Sequence, residues 1–496
     1  MQVSQKNPSD IQNQSLASLI ASHTQKTAKS KQLAQKNRPI LADRSALGIK
    51  FSPTLKEIAY PIVIERSFGS KIWDIDGNEY VDILMGLGIN LLGHNPPFIQ
   101  AAIAQQLQKG IQIGSQTELV GEVAQLVKEL TGMERVAFSN TGTEAVMAAI
   151  RVARSATNRP KIALFTNSYH GHSDQTLVRA TFAEYAKKAI NRKISQKTAT
   201  NYWLKKLTQP LQTFLQNSLN PKAVPAAIGI PPSLAKDVLV LEYGNAQSIE
   251  IIKANQREIA AVLVEPVQSR CPELQPQEFI KELREITQKT GIALIFDEMV
   301  TGFRIHPGGA QAWFGVEADI VTYSKIVGGG LPLSIIAGKA SYLDRIDGGV
   351  WNFGDDSSPS VETTFFAGTF CKHPLSLAAA KATLSHLKTE GPSLQERLNQ
   401  RTAKLVATLN TEFESQGIPI RLTHFGSFFA LSLSQSMIPP MALDLLSYYL
   451  LNRGIHLRQG DRGGFLSTAH TEDDITLIIR GFQDSIHDLK TGGFLS

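Results

Sequence analysis

Short apolar runs alternate with amphipathic segments through the middle of the chain. The runs have the length and composition of buried strands and fall at residues 135–138, 161–165, 238–241, 260–264, 293–296 and 320–323. Between the runs, apolar residues recur at helical spacing, as at 118–130 and 144–156. Strands that alternate with helices form parallel sheets with helices on both faces. The pattern therefore predicts an α/β fold with a mainly parallel, doubly wound large domain.

The two ends of the chain have a different pattern. Beyond His373, apolar spacing predicts long helices at 374–388 and 395–416, short strands near 425–433 and 455–457, and a terminal helix near 472–489. Near the start, apolar runs at 61–64 and 71–74 lie on either side of Gly69, which predicts a β-meander. We expect these N- and C-terminal segments to form one smaller α+β domain.

These patterns divide the chain into five segments. Residues 1–45 are rich in Gln, Ser, Lys and Asn and lack sustained periodicity, which is typical of a flexible linker. The predicted segments are a flexible polar linker (1–45), an N-terminal segment joining the small domain (46–95), a cofactor-binding large domain (96–345), a connecting segment that contributes to the active site (346–374) and a C-terminal small domain (375–496).

Composition and charge narrow the classes of function. Two cysteines among 496 residues provide no disulfide framework, which favours a cytoplasmic setting. No apolar run reaches the roughly 18 residues of a membrane span, so we expect no membrane association. The formal charge of +6 comes from residues 1–50 (+6) and 181–230 (+7), which leaves −7 on the rest. Basicity confined to two segments does not favour a nucleic-acid partner.

The candidate chemistry lies where the predicted strands end. Asp297 and Glu298 follow the run at 293–296, and Lys325 follows the run at 320–323 just before Gly328-Gly329-Gly330. In open α/β sheets this edge binds ligands. An isolated Asp and Lys at such an edge would more simply form a salt bridge, because structural ion pairs are also common there.

Other strand ends add groups to the same edge. Thr141-Gly142-Thr143, between a strand and a helix, suits either a phosphate-binding turn or an ordinary helix N-cap. Tyr169 offers a ring that can stack on a planar ligand. His170 and His172 lack a third ligand at suitable spacing, so no metal is expected. Glu265 supplies another acid, and the hydroxyl-rich turn at 363–369 is either functional or a linker.

One ligand uses an anion-binding turn, an aromatic ring, a carboxylate and a lysine together. Pyridoxal 5′-phosphate (PLP) binds covalently to a lysine and acts as an electron sink when a carboxylate keeps its ring nitrogen protonated. The combined groups therefore predict a PLP site.

Across roughly residues 55–490 the chain resembles the fold-type-I, class-III PLP aminotransferases. The resemblance lies in DEMVTGFR at 297–304 and KIVGGG at 325–330. It implies that Lys325 is the Schiff-base lysine and that Asp297 contacts the pyridine nitrogen. It further implies that Thr141, Gly142 and Thr143 hold the phosphate and that Tyr169 stacks on the ring. Thr369 matches a threonine that reaches the phosphate of the neighbouring subunit, which implies a homodimer.

Two subgroups of the family compete. Residues 138–145, 169–172 and 308–311 resemble glutamate-1-semialdehyde 2,1-aminomutases, which are isomerases. Residues 265–270, 351–356, 362–374 and 465–471 resemble the aminotransferase domains of hybrid polyketide–nonribosomal peptide synthases. The long block at 351–374 favours the second subgroup. That subgroup implies amino transfer from an amino acid, most simply glutamate, to a β-ketoacyl thioester on an acyl carrier protein.

Three departures from the family pattern bear on this interpretation. Met299 stands where many relatives have a valine against the cofactor, and Arg462 stands where aminomutases have a glutamate. A basic insertion at 182–222 is either a solvated loop or a docking site for an acidic carrier protein. The alternatives that remain are the aminomutase and, from another class, a catalytically inactive carrier-docking module.

Overall fold

The computed structural model describes residues 10–43, 51–180, 223–432 and 434–495. The chain forms two compact units, one built from Met1–Ala104 with Glu390–Ser496 and the other from Gln105–Thr389. The basic insertion expected at 182–222 lies outside the described residues. Within the described ranges, no helix combines the length and the apolar character that crossing a bilayer requires.

A seven-stranded sheet forms the centre of the large unit, in the order β4-β12-β11-β10-β9-β5-β8. Its strands are β4 (Arg135–Ser139), β5 (Lys161–Phe165), β8 (Val238–Leu241), β9 (Ile259–Val264), β10 (Ala293–Asp297), β11 (Ile320–Tyr323) and β12 (Ser334–Gly338). All neighbouring pairs are parallel except those of β12, which is antiparallel to β11 and β4. The fold-type-I α/β architecture expected from the sequence is confirmed. A separate hairpin pairs β6 (Val178–Ala180) with β7 (Ala223–Pro225).

Helices cover this sheet because its strands are apolar on both faces. Every residue of β9 and β10 is buried, as expected for a central parallel sheet. The helices of this unit are α5 (Leu119–Thr131), α6 (Gly142–Thr157), α7 (Ala246–Ala254), α8 (Gln277–Thr290), α9 (Gly309–Phe314), α10 (Ala340–Asp347) and α11 (Pro374–Glu390). Six alanines and valines of α6 are buried against the sheet, where small side chains allow close packing.

The smaller unit joins residues from both ends of the chain. Strands β1 (Ile64–Phe68), β2 (Lys71–Asp74), β3 (Glu79–Asp82) and β15 (Ile455–His456) form one sheet, and β13 (Leu422–Phe425), β14 (Phe428–Leu431) and β16 (Gly463–Phe465) form another. Its helices include α3 (Met85–Gly88), α12 (Pro392–Ser415), α13 (Pro440–Asn452) and α14 (Glu472–Thr491), while α4 (Pro97–Lys109) crosses the boundary between the units. The parallel pairing of β15 with β3 ties the C-terminal segment to the N-terminal one.

The N-terminal segment differs from the flexible linker predicted for 1–45. Residues Asp10–Lys26 and Ala28–Asn37 form helices α1 and α2. The buried residues of α1 include Leu16, Leu19 and His23, and the His23 ring packs edge-on against Tyr448 at a centroid distance of 5.1 Å. The prediction was wrong here because these helices are stabilised by residues outside the segment. Partners of α1 lie more than 400 positions away, and α2 bonds to Glu57 and Asp76.

The parallel strands place several chain segments at one edge of the large sheet. Strands β4, β5, β9, β10 and β11 run in the same direction, so their carboxyl ends lie along the same edge. Every predicted site residue except Thr369 lies at or just after the end of one of these strands. The predicted chemistry is therefore concentrated at this edge.

Candidate active site

Asp297 lies at the end of β10 with only 2% of its surface exposed. Its Oδ2 is 2.7 Å from Nδ1 of His170, and its Oδ1 accepts a 3.2 Å hydrogen bond from the backbone N–H of Met299. The ion pair found for this carboxylate is with the His170 imidazole, and none joins Asp297 to Lys325 among the described residues. The simple Asp–Lys salt bridge is therefore absent from this part of the chain.

Glu298 points into a different environment from its neighbour. Its carboxylate accepts hydrogen bonds from the N–H groups of Ala310 (2.6 Å) and Gln311 (3.1 Å) and from the Thr301 hydroxyl (3.1 Å). Burial raises the pKa of Glu298 to about 7, although these donors oppose the shift. Glu298 thus holds the loop after β10 against the start of α9. The acidic pair divides into one group that faces the candidate site and one that supports the loop.

His170 is a site residue that the sequence did not identify. Its ring is 3% exposed, and its Nδ1 must carry the hydrogen because the Asp297 carboxylate can only accept. Its Nε2 has no hydrogen-bond partner among the described residues. In the sequence this histidine was considered only as a metal ligand. Its position beside an aromatic residue, at the same sheet edge as a buried acid, was the signal that could have revealed it.

Glu265, which directly follows β9, fixes the loop that carries Tyr169. Its Oε2 accepts the Tyr169 N–H at 2.9 Å, and its Oε1 accepts the Ser269 hydroxyl at 3.2 Å. Burial raises the pKa of Glu265. This carboxylate therefore links two loops at the sheet edge.

Lys325 begins a short 3-10 turn, Lys325–Gly328, after β11. Its backbone has φ of +51°, a conformation that costs a non-glycine residue of order 1–3 kcal/mol and is concentrated at functional sites. Burial lowers the pKa of the Lys325 amine, while Asp297 and Glu265 partly offset that shift. A lysine with a lowered pKa has a larger neutral, nucleophilic fraction.

The surroundings of Gly329 show why glycine is required after this lysine. Its φ is +58°, and a Cβ at this position would lie 2.7 Å from Oγ1 of Thr383 and 3.0 Å from the carbonyl oxygen of Ala379. Because α11 approaches so closely, only glycine fits without a shift of the backbone. The packing of α11 thereby fixes the turn that presents Lys325.

The first turn of α6 lies beside this cluster. The Thr141 hydroxyl caps the helix by accepting the Glu144 N–H, which leaves the N–H groups of Gly142 and Thr143 without partners inside the helix. A Cβ on Gly142 would lie 2.8 Å from Sδ of Met299. The Thr141–Thr143 turn is therefore both an N-cap and a possible anion-binding site, in contact with the loop that follows Asp297.

Tyr169 and the turn after it connect these elements. The Tyr169 side chain is 49% exposed, and the backbone N–H of His172 donates to Oγ1 of Thr143 at 3.2 Å. The 169–172 turn therefore runs from Glu265, past Asp297, to the first turn of α6. An exposed aromatic ring on this turn is available to a ligand.

The structure does not bring Thr369 into this cluster by any described hydrogen bond. Thr369 is exposed, and its neighbour Gly368 lies near Cys371 and Asn140. The role implied for Thr369 involves a neighbouring subunit, so it stays a prediction.

The groups at this edge fit PLP. The site combines an amine of lowered pKa, a buried carboxylate held by an imidazole, helix N–H groups and an exposed aromatic ring. Covalent attachment, a counter-charge for the ring nitrogen, phosphate binding and stacking require these four kinds of group. Each of them belongs to the large unit.

Comparisons with known proteins agree with this chemistry. The family model for class-III aminotransferases matches residues 54–459. The chain is 33% identical over 441 residues to the glutamate-1-semialdehyde 2,1-aminomutase of Ruminiclostridium cellulolyticum, covering 86% of this chain and 90% of that protein. It is similar in structure to an omega-transaminase from Sphaerobacter thermophilus, with a TM-score of 0.77, 27% identity and coverage of 93% and 98%. A transaminase with PLP bound gives a TM-score of 0.76 at 26% identity, with coverage of 94% and 99%.

Proposed function

Because the chain belongs to the class-III aminotransferase family, we propose that it transfers an amino group from glutamate to the keto group of a β-ketoacyl thioester on an acyl carrier protein. The chain is a transaminase-type enzyme whose cofactor is PLP. The β-amino acyl product would belong to polyketide or nonribosomal peptide biosynthesis. Amino transfer is supported by one observation: Lys325 and the Asp297–His170 pair lie at the same sheet edge.

Lys325 would hold the cofactor and move the proton. When bound, PLP supplies an electron sink that weakens the bonds at the carbon bearing the amino group. Lys325 Nζ would hold the cofactor through its aldehyde carbon, and as a free amine it would take a proton from the substrate carbon and return it. The lowered pKa supports this role, because a base must be neutral to accept a proton.

Asp297 would face the pyridine nitrogen, and His170 would orient the carboxylate. A buried carboxylate held by an imidazole keeps one orientation, with an oxygen available to the ring nitrogen. Thr141, Gly142 and Thr143 would bind the phosphate at the start of α6, and Tyr169 would stack on the ring.

The acceptor is proposed from the sequence block at 351–374, which resembles synthase aminotransferase domains. Several large apolar side chains of this block are exposed in the single chain, including Phe353, Phe365 and Phe370. We propose that a second copy of the chain covers them in a homodimer and that Thr369 then reaches the partner's phosphate.

Mixing two variants tests this homodimer. If the site uses Lys325 of one subunit and Thr369 of the other, a hybrid of Lys325→Ala and Thr369→Ala subunits contains one site with both residues intact. We expect the co-expressed hybrid to be more active than either variant alone. Activity no higher than the average of the two variants would contradict a shared site.

The acceptor is tested by mass spectrometry of a loaded carrier protein. Holoenzyme and glutamate are incubated with a carrier bearing a β-ketoacyl thioester, with Lys325→Ala as the matched control. We expect the carrier to show the mass change for replacing the keto oxygen by an amine, and the control to show none. An unchanged carrier would exclude this acceptor.

The second candidate is the aminomutase, which the similarity to the Ruminiclostridium cellulolyticum protein favours. An aminomutase would convert glutamate 1-semialdehyde without an external amino donor. Conversion of that compound by the purified enzyme in the absence of glutamate would favour this candidate. Strict dependence on a donor would favour the transaminase.

A further inference from the structure

Arg270 is an exposed arginine on the loop after β9, beside the candidate site. Its Cζ lies 5.6 Å from the centroid of the Tyr169 ring. Among residues 10–43, 51–180, 223–432 and 434–495, no carboxylate lies within ion-pair distance of its guanidinium. The charge is therefore held at a defined place without a described counter-charge.

The Glu265 carboxylate holds the loop that carries Arg270. Glu265 accepts hydrogen bonds from the Tyr169 N–H and the Ser269 hydroxyl, so it ties the loop bearing Arg270 to the loop bearing Tyr169. Although Glu265 is only five positions from Arg270, it is buried and directed at these donors, not at the guanidinium. The local acid thus holds this loop without neutralising Arg270.

Arg270 is linked to the candidate site through Tyr169. The residue after Tyr169 is His170, whose Nδ1 lies 2.7 Å from Oδ2 of Asp297. The guanidinium therefore lies near the exposed ring that we expect to stack on the cofactor. A donor bound at that cofactor would be able to present a second polar group to this guanidinium.

A guanidinium over the face of an aromatic ring suits a planar oxyanion. Arginine presents paired N–H donors that match a carboxylate, and the attraction between the cation and the ring face does not consume those donors. Neutral polar groups would bind the guanidinium more weakly, because they do not balance its positive charge.

We propose that Arg270 binds a carboxylate of the amino acid donor and thereby sets the preference for an acidic donor. This proposal rests on the proposed transaminase function. Arg270 is a specificity residue, because it contacts the donor away from the atoms that react.

Binding of glutarate tests the proposal without turnover. Glutarate has the two carboxylates of glutamate and no amine, so calorimetric titration of holoenzyme measures recognition alone. We expect Arg270→Gln to weaken glutarate binding about tenfold or more, as for loss of a charge-assisted pair, and Arg270→Lys to recover part of the loss. In the wild type the affinity falls as salt rises, and in Arg270→Gln this dependence is reduced.

Arg257 provides the matched control. It is an exposed arginine just before β9, at the opposite end of the same strand from Arg270. We expect Arg257→Gln to bind glutarate like the wild type. Equal cofactor absorbance and melting temperature in all variants would show that each one folds and holds PLP.

The outcomes separate the two proposals. If wild-type holoenzyme converts to its amino form with glutamate but Arg270→Gln binds glutarate as tightly as wild type, the assignment of Arg270 is wrong and the transaminase function stands. Wild-type holoenzyme that transfers amino groups but does not bind glutarate also overturns the assignment. A wild type that holds no cofactor, or whose bound cofactor does not react with any amino donor, overturns the proposed function itself.

Discussion

Each of the two units contains a buried aspartate that is hydrogen-bonded to histidine. The two aspartates differ in how many hydrogen bonds their carboxylates accept. In the small unit, Asp82 accepts hydrogen bonds from His94 Nε2 (2.7 Å) and His456 Nδ1 (2.8 Å). In the large unit, Asp297 accepts one from His170 Nδ1 (2.7 Å). Both carboxylates are at most 2% exposed. Burial and a histidine partner therefore do not distinguish them.

The remaining partners do distinguish the two aspartates. Each oxygen of Asp82 also accepts a backbone N–H, from Leu84 at 2.9 Å and Met85 at 3.1 Å. Burial opposes ionisation of Asp82, but hydrogen bonds from His456 and His94 outweigh it and hold the pKa of this carboxyl well below its usual range. This aspartate joins β3 to β15 and to the segment at 84–94.

In the large unit, the carboxylate of Asp297 accepts fewer hydrogen bonds. Asp297 has one histidine and one backbone donor, and a lysine of lowered pKa with strained φ belongs to the same edge. A buried carboxylate with unfilled hydrogen-bonding capacity, near a residue with a strained backbone, is typical of a functional site. From this difference we infer a structural role for the Asp82 cluster, and we propose a functional one for the Asp297 cluster.

The largest expected effect separates these two aspartates. We expect Asp297→Asn to lower turnover by roughly 10²-fold or more, because the ring nitrogen loses its charged partner, while the fold is kept. Asp82→Asn should instead lower the free energy of unfolding by about 1–3 kcal/mol and leave the turnover of folded protein unchanged. Chemical denaturation and steady-state kinetics on both variants measure the two effects. Equal loss of turnover in both variants would remove the distinction.

The next effect concerns the histidines. His170→Phe removes the donor to Asp297, and we expect about a tenfold loss of turnover, as for other residues that orient a functional group. His170→Asn keeps an N–H donor and should retain more activity, with the pH dependence of the cofactor absorption band closer to wild type. His456→Asn is the control in the small unit and should change stability alone. If His170→Phe and His170→Asn behave alike, His170 does not act through its hydrogen bond.

A smaller effect is expected where Met299 meets the first turn of α6. A methyl group on Gly142 would lie 2.8 Å from Met299 Sδ, so Gly142→Ala should weaken PLP binding several-fold while the flexible methionine moves aside. Met299→Val provides space, so the double variant should bind PLP better than Gly142→Ala alone. The dissociation constants of the four proteins form a double-mutant cycle with an expected coupling of about 0.5–3 kcal/mol. Additive effects would mean that the two residues do not meet in solution.

The smallest effect on turnover is expected at Glu298, where the pH dependence of stability changes. Its pKa is raised from 4.5 to about 7 in the folded protein, so the folded state binds the proton more tightly than the unfolded state. The contribution of Glu298 to stability therefore falls as the pH rises from about 4.5 to 7. Glu298→Gln should flatten this fall in denaturation experiments across that range and leave turnover nearly unchanged. An unchanged pH profile would show that Glu298 titrates normally.

The pH dependence of stability that we expect from Asp82 has the opposite sign to that from Glu298. Its pKa is lowered on folding, so its contribution to stability is present above its usual pKa and is lost as the pH falls below it. The two buried acids thus affect stability at opposite ends of the acidic range.

The sequence predicted the elements whose pattern is local. The strands at 161–165, 238–241 and 320–323 have the predicted bounds, because a fully buried strand is a continuous apolar run. Lys325 and Asp297 were identifiable because each directly follows such a run.

Features that depend on distant partners were missed. Strand β12 is a short run after glycines, and its place between β11 and β4 is set by pairing with both. The helix α1 depends on Tyr448, and the Asp82 cluster joins His456 to a residue 374 positions away. No local pattern encodes such contacts.

Contacts between loops also could not be predicted from the sequence. Glu298 accepts N–H groups 12 and 13 positions later, and His170 meets Asp297 across 127 positions. The motif showed that the acids follow a strand, but only the folded loops show which of them faces the site.

We expect Lys325 to hold the cofactor at the edge where Asp297 lies. Holoenzyme reduced with borohydride carries the pyridoxyl group permanently on the lysine that bound it, and peptide mass spectrometry identifies that lysine. We expect one labelled peptide, containing Lys325, and no label in Lys325→Ala treated in the same way. A pyridoxyl group on any other lysine of the wild type would contradict it.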